Sequence, residues 1–296
     1  MDLNTAQESF LSYLRYEKRF SVHTITAYSN DLIQFTEYAI SAASISAVQE
    51  INSVLIRSWV VSMMESGISP RSVNRKITAL KSFFRYLLRQ QVVSENPTLK
   101  VQSPKVAKRL PVFVEKEKMD VLLDTVDFGS DFEGIRNKLV LELFYGTGMR
   151  LSELINLRQK DVDLFNSQVK VLGKRNKERI IPFNRELKLK IEEYQAEKKR
   201  LAIGGEFLLT TVKGDKLYEK LVYGIVKSYL SQVTTIDKKS PHVLRHTFAT
   251  HMLNNGADLN AIKEILGHAN LSATQVYTHN TVEKLKNIHK QAHPKA

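Results

Sequence analysis

The stretch "NPTLKVQSPKVAKRLP", residues 96–111, constrains this chain most. Pro97, Pro104 and Pro111 each remove a backbone donor and fix φ, so no continuous helix can cross it. Its only charged residues are Lys100, Lys105, Lys108 and Arg109, all of one sign, and self-repulsion extends such a segment. The stretch therefore reads as an extended basic linker over 101–110. It separates a domain at 1–100 from one at 111–296, each building its own core. A chain of 296 residues with 43% hydrophobic content is large enough for both.

Charge narrows the function classes. Lys and Arg number 44 against 31 acids, a formal charge of +13, and the pI is near 9.6. That balance favours a polyanionic partner, although a basic ribosomal or membrane-surface protein would share it. No run of 18 apolar residues occurs, and "MDLNTAQESF" has neither a basic start nor an apolar core. The expectation is a cytoplasmic protein without a membrane span. Zero cysteines exclude thiol nucleophiles, disulfides and thiolate zinc sites.

The first hundred residues are helical in pattern. Ile25, Tyr28, Leu32, Phe35 and Ala39 form one stripe after the capping candidate Ser21, and "SVLIRSWVVSMMESG" gives a shorter helix ending at Gly67. In "SPRSVNRKITALKSFFRYLLRQ", Val73, Ile77, Leu80, Phe84 and Leu87 make the apolar face. Arg71, Arg75, Thr78, Ser82, Arg85 and Arg89 line another, with Lys76 and Lys81 beside them. A solvated helix usually mixes signs, so a face of one sign points to DNA or RNA against the plainer alternative of a charged surface.

Beyond the linker, helical patterns resume in "EKEKMDVLLDTV" and in "IRNKLVLELFYGTG", the latter stopped by Gly146 and Gly148. "QVKVLGKRNKERIIPF" changes character. A β-rich run on each side of Gly173 to Asn176 predicts a hairpin whose basic turn exposes Lys174 and Arg175. Further helices are expected near Asn184, Tyr218, Pro241 and Thr281. The last, with Val282, Leu285 and Ile288 on a narrow stripe, needs a surface to dock on, either its own domain or, as an exchanged C-terminal helix, a neighbouring protomer.

"PHVLRHTFATHML" places His242 and Arg245 one turn apart on a helix that Pro241 opens, with Leu244, Phe248 and either Met252 or Leu253 as its buried face. His242 and His246 also have the spacing of a zinc-binding pair, but Val243 stands where the general base of that motif would be, so the stretch does not read as a metal site. A histidine and an arginine together suit an anion, most naturally a phosphate. Arg150 in "GTGMRLSEL", Lys174 in "LGKRNKERIIP", and His268 and Tyr277 in "LGHANLSATQVYTHN" are each commonplace alone.

Together and in this order, these motifs resemble the tyrosine recombinase (phage integrase) family. Ala273 in "LSATQVYTH", where a Thr is common, is a small departure that touches no named residue. The resemblance implies a mainly α fold: a helical, SAM-like, DNA-clamping N-terminal domain, then a mixed α/β catalytic domain with a small antiparallel sheet. It also implies that His242 and Arg245 hold a scissile DNA phosphate together with Arg150 and His268, and that Tyr277 is the nucleophile. His242 is then the base and Lys174 the general acid. No metal or other cofactor is implied.

Two domains without a further DNA-binding arm suggest the Xer branch, acting on a dif-type site. The implied partners are double-stranded DNA, a homo- or hetero-tetramer with a related recombinase on paired sites, and an activating DNA translocase. A mobile-element integrase, a type IB topoisomerase-like enzyme and a non-catalytic DNA-binding protein stand as alternatives.

Overall fold

The computed structural model describes residues 1–107, 112–173, 178–267 and 279–295. The chain divides into two compact units, Met1–Arg109 and Leu110–Ala296, each with its own hydrophobic core.

The first unit is built from α1 (Leu3–Ser12), α2 (Val22–Ala43), α3 (Ser53–Glu65) and α4 (Pro70–Arg89). Each helix starts where the sequence offers a cap. Asp2, Ser21, Asn52 and Ser69 accept from backbone N–H groups of the first turn, and Pro70 follows Ser69 at a position that needs no donor. Ile25, Leu32, Phe35 and Ala39 of α2 are buried, as are Val73, Ile77, Leu80, Phe84 and Leu87 of α4. Phe35 meets Trp59 of α3 edge to face at 5.0 Å.

The basic stretch opens with a short turn that precedes the expected linker, and residues 101–107 carry neither helix nor strand. Pro97–Lys100 form a 3₁₀ turn, Thr98 and Val101 are buried, and Asn74 Nδ2 donates to the Pro104 carbonyl at 2.9 Å. Proline forbids an α-helix there, but a single 3₁₀ turn that begins at Pro97 asks for no proline amide.

The second unit contains α5 (Lys116–Asp120), α6 (Phe132–Thr147), α7 (Leu151–Asn156), β1 (Val162–Asp163), β2 (Gln168–Leu172), β3 (Glu178–Pro182), α8 (Arg185–Arg200), α9 (Glu219–Val233), α10 (Pro241–Asn254), α11 (Leu259–Leu266) and α12 (His279–Ala292). α6 is the central helix. It packs against α8 and α10 and buries Leu139, Val140, Leu141, Leu143, Phe144 and Tyr145, so it lacks a single stripe. It runs through Gly146, one of the two expected stops, and ends at Gly148 with φ +60°. A Cβ at Gly148 would stand 2.4 Å from Phe248 Cδ1 and 2.9 Å from Leu266 Cδ2. Both the left-handed turn and the close approach of α10 and α11 therefore require glycine.

The sheet is an antiparallel meander, β1-β2-β3, in which Leu172 pairs with Glu178 at the turn end of the β2–β3 hairpin. Val169, Val171 and Ile181 turn inward, while Lys170 and Leu172 face out. α12 lies on its own unit and starts two residues before the expected Thr281. Leu285 is buried, and Asn255 Nδ2 donates to the Ala292 carbonyl at 2.8 Å. Among the described residues no helix is long and apolar enough to cross a membrane.

Candidate active site

The C-terminal end of α11 organises the site. Its last carbonyls have no helical partner and carry the negative end of the helix dipole, so they attract cations. Three arginines from three other elements occupy successive carbonyls. Arg179 Nε of β3 donates to Ile265 at 2.6 Å, Arg245 Nη2 of α10 to Leu266 at 2.7 Å, and Arg150 Nη2 to Gly267 at 3.0 Å. Arg245 Nη1 also donates to the Gly148 carbonyl at 2.6 Å. The sharp turn at Gly148 thus holds the arginine that the next residues but one must meet.

Glu153 is the one carboxylate joined to this cluster among the described residues. Arg179 grips it with both prongs, at 2.7 and 2.8 Å, and Arg150 Nη1 donates to it at 2.8 Å. The Arg150 backbone N–H also donates to Glu153, at 2.7 Å, closing the cap of α7. Burial raises the Glu153 pKa. The hydrogen bonds and charge of Arg179, followed by the bonds from Arg150, outweigh it and hold the carboxyl at about 2. Three guanidinium groups against one carboxylate leave a net positive cradle.

Arg245 bears the strain of that imbalance. Burial first, then the charges of Arg150 and Arg179, push its pKa down to about 9, with Glu153 opposing. It stays protonated at neutral pH. An arriving anion would relieve the mutual repulsion, and guanidinium groups carry more N–H donors than these carbonyls use.

The expected zinc-like pair is a hydrogen-bonded pair. His242 Nε2 and His246 Nε2 lie 3.0 Å apart with the rings 76° to one another. One ring must donate and the other accept, so the pair favours at least one neutral imidazole. Burial, then His242 and Arg245, lower the His246 pKa. His242 is exposed and Arg245 buried, so the two do not present equally to solvent. Met252, not Leu253, completes the buried face of α10. Among the described residues no cluster of three or more His, Asp or Glu could hold a metal.

Lys174, Arg175, His268 and Tyr277 lie outside the described residues. The structure therefore brings together Arg150 and Arg245, places His242 on the same helix as Arg245 but bonded to His246, and adds Glu153 and Arg179, which sequence reasoning missed. Glu153 had a signal, the i,i+3 spacing after Arg150. Arg179 had none, because a charged residue in a short strand reads as surface.

On α4, Arg71, Arg75, Arg85 and Arg89 are exposed and Lys81 is half-buried. Arg75 pairs with Asp31, and Arg89 lies over the Tyr13 ring at 4.5 Å. Lys76 corrects the expectation of a DNA contact. It is 5% exposed, and its Nζ donates to Asp31 Oδ1 at 3.1 Å and to Gln34. Asp31 is buried in the core of this unit and requires a cation beside it.

Residues 113–284 match the phage integrase family and residues 8–91 its N-terminal SAM-like domain. Tyrosine recombinase XerC of Staphylococcus saprophyticus is 39% identical over 292 residues, covering 98% of this chain and 97% of that protein. XerC of Listeria welshimeri is 37% identical, covering 98% of each. In fold, the chain resembles XerH recombinase bound to its difH substrate before cleavage, with TM-score 0.68, 22% identity, and coverage of 96% of this chain and 82% of that one. It also resembles a lambda integrase dimer on a core site, with TM-score 0.71, 14% identity, and coverage of 94% and 100%. The chain belongs to the phage integrase, or tyrosine recombinase, family, and is an enzyme of site-specific recombination that transfers DNA strands through a covalent intermediate.

Proposed function

We propose that this recombinase resolves chromosome dimers at a dif-type site, acting as a tetramer with a related recombinase on paired double-stranded sites under an activating DNA translocase. Near-full-length similarity to XerC proteins supports the branch, and the XerH structure was solved on a difH substrate. The observation that carries the chemistry is the three-arginine cradle on the end of α11. It is a preformed site for a phosphate that gains negative charge in the transition state.

In this reading Arg150, Arg245 and His268 hold the nonbridging oxygens. The Tyr277 oxygen bonds to phosphorus as the bond to the 5′ oxygen breaks. A phenol near pKa 10 must lose its proton during attack, and His242 takes it. Lys174 gives a proton to the leaving 5′ oxygen. The product is a 3′-phosphotyrosine with a free 5′ hydroxyl, and the reverse steps on a new strand complete exchange without ATP. Arg175 and the exposed arginines of α4 contact the DNA backbone.

A nicked suicide substrate tests the assignment. Tyr277→Phe is expected to bind DNA and form no covalent adduct; an adduct with the Phe variant removes Tyr277 as nucleophile. Recombinant products from two sites, without relaxation of single plasmids, separate this reading from a topoisomerase. Sequencing of genomic DNA bound in cells separates a dif-type target from mobile-element ends.

A further inference from the structure

Arg179 joins three segments of this unit, its own strand, α7 and the end of α11. It belongs to β3, the strand leaving the hairpin turn. Its two prongs hold Glu153 of α7, the helix that Arg150 caps, and its Nε holds the Ile265 carbonyl near the end of α11. Its side chain also lies under Gly267, where a Cβ would stand 3.1 Å from Arg179 Cδ at a residue with φ +64°. It is 4% exposed, and the two sides of the hairpin remain paired to Leu172 and Glu178, next to the turn.

A bond network that served stability alone would not need this placement, since buried ion pairs are often replaced by apolar contacts without loss. What an arginine here does, and an apolar residue cannot, is fix the relative position of three separate backbones through a planar fork. We infer that Arg179 is a positioning residue that registers the β2–β3 hairpin, whose strands lead to Lys174, against Arg150, Arg245 and the C-terminal end of α11. The inference rests on the reading of Lys174 as general acid.

The test uses the full-length protein, single-turnover cleavage of a nicked duplex, and the same duplex with sulfur replacing the bridging 5′ oxygen, whose thiolate leaves without a proton. Lys174→Ala is the reference, expected to lose about 10²- to 10⁴-fold on oxygen and little on sulfur. Arg179→Lys keeps a cation beside Glu153, so the fold is retained, but lacks the second prong and the reach to Ile265. It is expected to lose about 10- to 100-fold on oxygen and no more than about threefold on sulfur, as a misplaced general acid would. Hydrogen exchange is measured alongside, with faster exchange expected at residues 178–182 and 262–267 and no change across α4.

If Lys174→Ala is rescued by sulfur and Arg179→Lys loses equally on both substrates, Arg179 acts on the phosphate cradle and the inference fails while the acid assignment stands. If Lys174→Ala itself loses equally on both, the acid assignment fails. Exchange then decides for Arg179: acceleration confined to those two segments supports registration, and unchanged exchange overturns it.

Discussion

Arginines on α4 and arginines at the end of α11 are the same residue type put to opposite uses. Arg71 and Arg85 stand exposed along one face of a helix and make no ion pair among the described residues. Arg150, Arg179 and Arg245 converge on three consecutive carbonyls and one carboxylate, two of them buried. Exposed cations act by releasing counterions from a phosphate backbone and tolerate misplacement. Buried ones carry a desolvation cost, and retain their charge only because carbonyls and Glu153 fix them in place. In the proposed reading the first arrangement gives affinity for DNA and the second gives geometry at the phosphate.

Replacing a cradle arginine should therefore produce the largest effect in the molecule, and it should fall on chemistry. Arg245→Lys keeps the charge but cannot reach both the Gly148 and Leu266 carbonyls. Single-turnover cleavage is expected to drop about 10²- to 10³-fold, the range for losing one preorganised donor to a developing anion. Affinity for a single half-site should change only a few-fold. Wild-type cleavage by this variant would reduce the cradle to a structural feature.

Glu153→Gln asks how much of the fold depends on the cradle being neutralised in part. The folded carboxyl is held at about 2 against an ordinary 4.5. A depressed carboxylate adds stability that is present above the unfolded pKa and is lost as pH falls from about 4.5 toward 2. The shift sets an upper bound of about 3 kcal/mol. Chemical unfolding of this unit at pH 7 should place the variant well below the wild type, and the gap should narrow at pH 3.5. A gap independent of pH would assign the loss to packing.

The difference between the two regions also explains what could be read in advance. The α4 stripe was legible because helical periodicity and charge sign lie in one continuous segment. The capped starts at Ser21, Asn184 and Pro241 were legible for the same reason. Lys76 was misread, because only the tertiary fold shows that Asp31 is buried opposite it. Arg179 was invisible since its partners are 26 and 86 residues away. The stop expected at Gly146 was passed: the helix continues to Thr147, and Leu187 Cδ2 of α8 lies 3.0 Å from where a Cβ on Gly146 would stand.

Two further buried basic groups sharpen the contrast, because they are neutral. His289 Nε2 donates to the Gly146 carbonyl at 2.8 Å and His293 Nε2 to the Tyr145 carbonyl at 3.0 Å, tying α12 to the end of α6. Burial lowers both pKa values. For His293, His289 and then His251 and Lys295 add to the effect while the Tyr145 carbonyl opposes it, and the result is about 3 against an ordinary 6.5. A histidine depressed in the folded state binds fewer protons than when released. Docking is therefore strongest above pH 6.5 and weakens as pH falls below it, by up to about 1.4 kcal/mol per histidine per unit. Limited proteolysis of residues 285–295 should accelerate between pH 7.5 and 5.5, and His289→Gln with His293→Gln should flatten that dependence. Cradle protection, resting on guanidinium groups, should not move in this window.

The smallest effect belongs to α4, and it decides whether the comparison holds. Arg71 and Arg85 are the clearest choices, because Arg75 is engaged by Asp31 and Arg89 by the Tyr13 ring. Replacing both with alanine should lower the slope of log affinity against log salt by about 0.9 for each lost phosphate contact. Cleavage at saturating protein should be unchanged, since neither side chain belongs to the cradle. Lys76→Met provides the control. Its ammonium faces Asp31 in the core of the first unit, so the substitution should destabilise that unit and leave the slope alone. If the double variant keeps the wild-type slope, the exposed arginines of α4 face solvent, and the electrostatic anchor must be sought instead among Lys100, Lys105, Lys108 and Arg109, where the same substitutions and the same slope would be measured.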